Sequence, residues 1–356
     1  MKKILILVND VTTILQFRCE LISALINEGH EVIVSVPKSE RISEIEALGA
    51  KVVETKVARH GKNPFKDLKL LRNYKKLLKE IKPDIVLTFT IKPNVYGGMA
   101  CAKLKIPYVA NITGLGVVGD GGLFQKLTLW LYKKGLKKAK RVFFQNQANE
   151  QFFKDKKIVG NNTELLPGSG VNIEKFAFCD YPDEEITNIV FVGRIIKDKG
   201  VFELAESAKK FEELENLRFT IVGDVEYGSK NPFSDMKNVE CVGFHKDVKP
   251  FVKDAHAIVL PSYHEGMANV LLEGASMGRP ILASNIPGCQ ETFDEGVTGF
   301  GFDAKNVESL YCAIEKFIAL SYEQKVAMGK AGRRKIENEF NRQIVVNKYL
   351  QQINSL

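Results

Sequence analysis

Residues 256–280 read HAIVLPSYHEGMANVLLEGASMGRP, and the rest of the chain is best read outward from them. Ala257 to Leu260 is a short apolar run ending at Pro261-Ser262, the pattern of a parallel strand buried on both faces. Tyr263-His264-Glu265-Gly266 makes a turn, and a helix is expected from there, with Met267, Val270, Leu271 and Leu272 facing inward and Gly278 stopping it. Arg279-Pro280 then leads into a second strand, 281–284. Glu265 and Glu273 stand in an E-x7-E spacing at the carboxyl end of the first strand, where open parallel sheets bind ligands. The backbone N–H groups of Gly266, Met267, Ala268 and Asn269 are expected to open the helix and face an anion, aided by the helix dipole. Taken alone, the same spacing also fits one carboxylate accepting from a helix start and a second in solvent.

On either side, strands and helices alternate. Strands are expected at 3–8, 31–36, 51–54, 85–89, 108–111 and 141–144, with helices near 14–28, 39–48, 66–81, from 93, and near 123–139. The pattern loosens between 161 and 183, restarts with a strand at 188–192, and ends in a helical tail, 322–353, broken near 338–341. This is α/β architecture in two doubly wound domains. Gly114 to Gly119 matches G-x-G-x-x-G, but the acid a dinucleotide site wants about 20 residues later is replaced by Lys133-Lys134 and Lys137-Lys138. A nicotinamide or flavin site is therefore not expected.

The 356 residues suit two domains, and 45% hydrophobic content is that of a globular protein. Met1-Lys2-Lys3 precedes only five apolar residues, too few for a signal peptide, and no run reaches a membrane span. Six cysteines without C-x-x-C pairs suit a reducing cytosol. The net charge of +8 is unevenly spread: residues 1–166 carry 29 Lys and Arg against 15 Asp and Glu, and the remainder 22 against 28. Residues 126–141 hold seven cations and no acid among Leu127, Leu129, Trp130, Leu131, Tyr132 and Leu136. Residues 62–82 add eight cations against Asp67 and Glu80. Basic helices with an apolar face suit an anionic membrane leaflet, and equally a solvated face over an ordinary core.

Five stretches are read together: FVGRIIKDKG from Phe191, FTIVGD from Phe219, VECVGFHKDV from Val239, LPSYHEGMANVLLEGASMGRPILASNIPG from Leu260 and GVTGFGF from Gly296. They resemble the retaining glycosyltransferases of family 4, and within them the bacterial enzymes that extend undecaprenyl-diphosphate-linked acceptors in capsule, O-antigen or protein-glycan assembly. That resemblance implies the GT-B fold, two Rossmann-like domains facing a cleft with a C-terminal helix crossing back to the first. It places an acceptor domain at 1–165, a nucleotide-sugar domain at 166–335 and the returning helix at 336–356. It implies a cytoplasmic enzyme, peripheral on the inner face of the membrane, that moves a hexose or hexose derivative from a nucleoside diphosphate, UDP being expected. The expected partners are a nucleotide sugar, a lipid-linked glycan and an anionic membrane surface, with no nucleic acid.

By the same resemblance Arg194 and Lys199, after the strand 188–192, hold the donor diphosphate, a fork and a point charge around a growing negative charge. Glu265 positions the donor sugar, Glu273 the ribose hydroxyls, and Gly243 and Phe244 border the nucleobase. No D-x-D or His-Glu cluster offers a metal site, so no cofactor and no metal are expected. Two features depart from the family. No His lies between His60 and His245, so Lys92, Thr113 or backbone of 111–116 is left to replace the family's cleft His. The first loop reads Asn9-Asp-Val-Thr-Thr13, in which Asp10 either orients acceptor hydroxyls or caps the next helix. His60 in its basic loop is a further acceptor candidate, and His264 a donor one. The alternatives are an epimerase of the same fold, a non-catalytic glycosyltransferase-like subunit, and a basic nucleic-acid-binding protein.

Overall fold

The computed structural model describes residues 1–57, 64–114, 122–183, 185–226 and 230–356. They form two compact units, Met1–Ser169 with Gln343–Leu356, and Gly170–Arg342. The divisions thus fall at 169/170 and 342/343, against the expected 165/166 and 335/336.

In the first unit, β1 (Lys3–Leu7), β2 (Glu31–Val36), β3 (Lys51–Glu54), β4 (Ile85–Phe89), β5 (Tyr108–Ile112), β6 (Arg141–Phe144) and β7 (Thr163–Leu165) make one sheet, ordered β3-β2-β1-β4-β5-β6-β7. All pairings are parallel. Every residue of β4 and β5 is buried, as a parallel sheet covered by helices on both faces requires. In the second unit, β8 (Thr187–Val192), β9 (Leu217–Val222), β10 (Val239–Gly243), β11 (Ala257–Leu260), β12 (Ile281–Ser284) and β13 (Gly299–Phe302) are likewise parallel, ordered β10-β9-β8-β11-β12-β13. In each sheet the strand order reverses direction once, between β1 and β4 and between β8 and β11. The carboxyl ends of those pairs are the topological switch points, where loops part and a ligand can enter.

Two local features depart from expectation. The helix expected near 14–28 is two helices, Val11–Phe17 and Cys19–Asn27, broken at Arg18 (φ −133°). The Arg18 guanidinium is buried over the Phe89 ring, 4.6 Å from its centroid, and the break turns it inward. A helix at Gln147–Asp155 and strand β7 occupy a region that reads as polar or as turns. From Gln343 on, the final helix, Arg342–Asn354, is part of the first unit: Val345, Val346, Tyr349 and Ile353 join its core, and Asn111 Nδ2 donates to Tyr349 Oη at 2.5 Å.

Candidate active site

In the second unit the switch point is lined by the loops after β8 and β11. After β8 the chain passes Arg194, crosses a short 3-10 turn, Lys197–Lys199, and enters the helix Val201–Lys209 through Gly200 at φ +67°. A Cβ on Gly200 would lie 2.0 Å from the Pro261 carbonyl oxygen, so glycine is what lets this loop lie against the end of β11. Tyr263 N–H donates to Asp198 O at 2.9 Å, and Tyr263 Oη to Glu203 Oε1 at 2.6 Å, tying the two loops together. Lys199 Nζ is thereby brought onto Glu265 Oε1 in a short ion pair, and Ser262 Oγ donates to the same oxygen at 2.7 Å. Both side chains of the pair are largely shielded, 24% and 14% exposed. Arg194 stands in contrast: its side chain is 66% exposed and its Nη1 donates to Glu226 Oε1 at 3.0 Å. The structure therefore brings Lys199, Glu265 and the loop bearing Arg194 to one sheet end, and adds Ser262 and Glu226, which motif reading did not single out.

The helix after β11 corrects one expectation. It spans Asn269–Ser276, not 266 onward. Ala268 N–H donates to Gly288 O at 2.8 Å, and Met267 and Ala268 are 6% and 2% exposed in the core. Gly266, Met267 and Ala268 thus belong to a packed turn, Ala268's amide is engaged, and of the four proposed amides only that of Asn269 starts the helix. Glu273 is its fifth residue, half-buried, and its carboxylate has no hydrogen-bond or ion-pair partner among the described residues. Burial pushes its carboxyl up to about 7, against the opposing pull of Arg342 and Lys175.

A Cβ on Gly223, just past β9, would lie 1.9 Å from Gly193 O, just past β8, so the ends of these two strands meet backbone to backbone. Gly243 takes φ +74°, its carbonyl accepts from Gly223 N–H at 2.8 Å, and Phe244 N–H donates to Asp224 Oδ1 at 3.0 Å. Phe244 is consequently held with its ring 70% exposed. His264 is exposed in its turn.

In the first unit, Lys92 follows β4 at the other switch point. Its Nζ donates to Asp67 Oδ1 at 2.9 Å, and Tyr96 Oη donates to Asp67 Oδ2 at 3.0 Å. Asp67 comes from the helix Pro64–Ile81, 25 residues away, so the pairing is not visible in local sequence. Burial, reinforced by the Asp67 charge, holds the Tyr96 phenol protonated well above its ordinary range. Asp10 caps the helix Val11–Phe17, accepting from Thr12 N–H at 3.0 Å, which is the second of its two readings. Thr113 is half-buried just past β5. His60 and residues 115–119 of the glycine-rich stretch lie outside the described residues. On the helix Gly122–Leu136, Lys126, Lys133 and Lys134 are exposed beside Leu127 and Trp130, which are 51% and 53% exposed. Among the described residues no helix is long and apolar enough to cross a membrane, and no three His, Cys, Asp or Glu side chains gather as metal ligands.

Two doubly wound parallel units in one chain, each with charged loops at its switch point, define the GT-B class. Residues 180–335 match the family of glycosyl transferases group 1 and residues 3–146 the glycosyl transferase 4-like family. The chain is 28% identical over 364 residues to the N,N'-diacetylbacillosaminyl-diphospho-undecaprenol alpha-1,3-N-acetylgalactosaminyltransferase of Campylobacter jejuni, covering 95% of this chain and 94% of that enzyme. It is 29% identical over 301 residues to the UDP-Gal:alpha-D-GlcNAc-diphosphoundecaprenol alpha-1,3-galactosyltransferase of Escherichia coli, covering 78% and 76%. Among solved structures, Anabaena HepE in complex with UDP and glucose superposes with a TM-score of 0.82 over all of both chains at 16% identity. A Rickettsia africae glycosyltransferase gives 0.82 over 98% of this chain and 97% of its own at 20% identity. Residues 3–146 thus form a glycosyl transferase 4-like domain and residues 180–335 a glycosyl transferases group 1 domain.

Proposed function

We propose that the protein is a retaining, metal-independent hexosyltransferase that moves a hexose or hexose derivative from a UDP-sugar to a polyprenyl-diphosphate-linked acceptor in bacterial surface polysaccharide synthesis. The observation that carries this reading is the Lys199–Glu265 pair with Arg194 at the β8/β11 switch point. The two relatives named for transfer onto undecaprenyl-diphosphate glycans, one of them from UDP-Gal, support the acceptor class and the nucleotide. In the proposed reaction the bond from the sugar C1 to the donor phosphate oxygen breaks, its electron pair staying on that oxygen. The acceptor hydroxyl attacks C1 on the face being vacated, and its proton passes to the leaving phosphate oxygen, giving a glycoside of unchanged anomeric configuration and UDP. Lys199 and Arg194 stabilise the charge that grows on the diphosphate, the work a metal does elsewhere. Glu265, fixed by Lys199 and Ser262, positions the donor sugar. Glu273 takes the ribose hydroxyls, and the exposed Phe244 ring borders the base.

The test is a thermal-shift panel against UDP, GDP, ADP and NAD in the presence of EDTA, on the wild type, Arg194→Ala and Glu273→Ala. A ligand at about 100 times its Kd stabilises by about 2.7 kcal/mol. UDP is expected to shift the wild type and neither variant; no shift by any nucleoside diphosphate, or equal shifts in the variants, would sink the donor assignment.

The same reading seats the protein on the cytoplasmic face of the membrane through its basic first unit. Leu127 and Trp130 are exposed among lysines on one helix, and each cation near an anionic leaflet contributes about 1 kcal/mol. Trp130 is the chain's only tryptophan, so its emission reports the contact directly. A blue shift with phosphatidylglycerol vesicles and none with phosphatidylcholine is expected; identical spectra in both would remove the membrane contact.

A further inference from the structure

The loop after β4 holds one side chain in an unusually constrained setting. Thr90, a β-branched residue, sits at φ +69°, and its Oγ1 is buried with no hydrogen-bond partner. Residues Pro93–Gly97 then form a π-helical turn, a geometry that recurs at functional sites. Asn94, 1% exposed, pins that turn to two strands: its Oδ1 accepts from Thr88 Oγ1 and its Nδ2 donates to Asn111 O, each at 2.7 Å. Behind it, a Cβ on Gly98 would lie 2.2 Å from Gly135 O, so the segment lies hard against the helix Gly122–Leu136. A plain connector has no use for a strained threonine and a wound turn, and such features persist only where the surroundings enforce them. What they enforce here is the place of Lys92, beside β1 at the reversal of strand order.

We propose that Lys92 is the first unit's contact with the diphosphate of the lipid-linked acceptor, and that Asp67 and Tyr96 are the residues that position it. This rests on the acceptor reading above. The pair is 14% and 18% exposed, so it is shielded yet reachable. Asp67 already accepts through both oxygens, from Lys92 and from Tyr96. With both carboxylate oxygens engaged, what the cluster can offer a ligand is the ammonium, a group that only donates. Sugar hydroxyls call for donors and acceptors together, whereas a phosphate oxygen calls for donors alone. The excess of Lys and Arg in residues 1–166 draws an anion toward this unit. Lys92, locked in one orientation by a carboxylate that is itself held by a phenol, then meets it without first having to be ordered.

The probe is farnesyl diphosphate, which carries a prenyl diphosphate and no sugar, titrated calorimetrically into protein saturated with UDP so that the donor's own diphosphate seat is filled. Farnesol is the uncharged control. The wild type is expected to prefer farnesyl diphosphate over farnesol. Lys92→Met should lose that preference, about tenfold or more, while binding UDP as before; Lys92→Arg should regain part of it. Tyr96→Phe, which keeps the lysine, should lose a smaller share and covers the case in which Lys92→Met does not fold. A merely structural pair would leave the ratio of the two affinities unchanged, and that result, in Lys92→Met or in Tyr96→Phe, overturns the proposal. So does a wild type without preference for the diphosphate. Failure of UDP to bind the wild type is a separate outcome that brings down the donor reading instead.

Discussion

The two units solve the same placement problem with different chemistry around it. Each sheet reverses its strand order once, and at each reversal a lysine is held on a carboxylate: Lys92 on Asp67, Lys199 on Glu265. Each carboxylate has a hydroxyl helper, Tyr96 in the first unit and Ser262 in the second. The carboxylates come from different places. Glu265 lies in the loop directly after β11, so lysine and acid both come from loops at the switch point. Asp67 comes from a helix at the side of the switch-point strands, so in the first unit lysine and acid arrive from separate layers. A second lever distinguishes them: the exposed Arg194 stands a few residues from Lys199, whereas the first unit's lysine excess is spread over its helices. The lesson is that a parallel sheet fixes where a charge must stand, and the local loop decides what the charge can do.

The comparison breaks most sharply at Lys199. If this lysine stabilises charge that appears only as the donor bond breaks, Lys199→Met should lower kcat by about 10²–10³-fold, the usual effect of removing one such donor. Lys92→Met should act on acceptor affinity with a smaller change in kcat. Steady-state kinetics with donor and acceptor varied separately would show it; equal effects of the two substitutions on kcat would mean that the two pairs are not divided between donor chemistry and acceptor binding.

Next in size is a pH effect confined to the second unit. Burial raises the folded-state carboxyl of Glu273 to about 7, above its ordinary range. The neutral form is therefore favoured in the folded protein, and the unliganded protein loses stability as pH rises through the window from the ordinary carboxylate range to about 7. Donor binding runs the other way, because ribose hydroxyls donate best to the ionised form. UDP affinity should fall by about tenfold per pH unit below about 7, and Glu273→Gln should bind UDP weakly with no such slope while melting higher than wild type at pH 8. Calorimetry between pH 6 and pH 8 checks both signs. A flat profile in the wild type would remove Glu273 from the donor site.

How far the sequence carries this comparison follows from where each interaction lies along the chain. The second unit was legible because its strand, turn and glycine follow one another: β11, Glu265 and the stop at Gly278 are contiguous, and Gly200 directly follows Lys199. Its helix start was not legible, since Met267 and Ala268 look like first-turn residues and only a carbonyl from Gly288, twenty residues on, claims the Ala268 amide. The first unit hid more. Asp67 sits in a lysine-rich helix where it reads as one solvated acid among cations, and the strain at Thr90 leaves no compositional trace. The break at Arg18 was invisible because apolar spacing continues across it, and the helix Gln147–Asp155 because Phe152 and Phe153 are its only large apolar residues.

The finest test removes only the helpers. Ser262→Ala takes one hydrogen bond from Glu265 and leaves the Lys199 ion pair; Tyr96→Phe takes one from Asp67 and leaves Lys92. A single hydrogen bond of this kind contributes about 0.5–1.5 kcal/mol, more toward a charged acceptor, so each change should cost about three- to tenfold. If Glu265, which Ser262 steadies, stands beside the reacting sugar, loss of Ser262 should fall on kcat. The loss of Tyr96, which steadies a group that only binds, should fall on the acceptor KM. Each substitution removes a single hydroxyl oxygen and keeps every carbon, so neither is expected to open a cavity. A kcat effect from Tyr96→Phe equal to that from Ser262→Ala would place Lys92 among the groups that act on the reacting bond, and the division of labour between the two units would have to be redrawn.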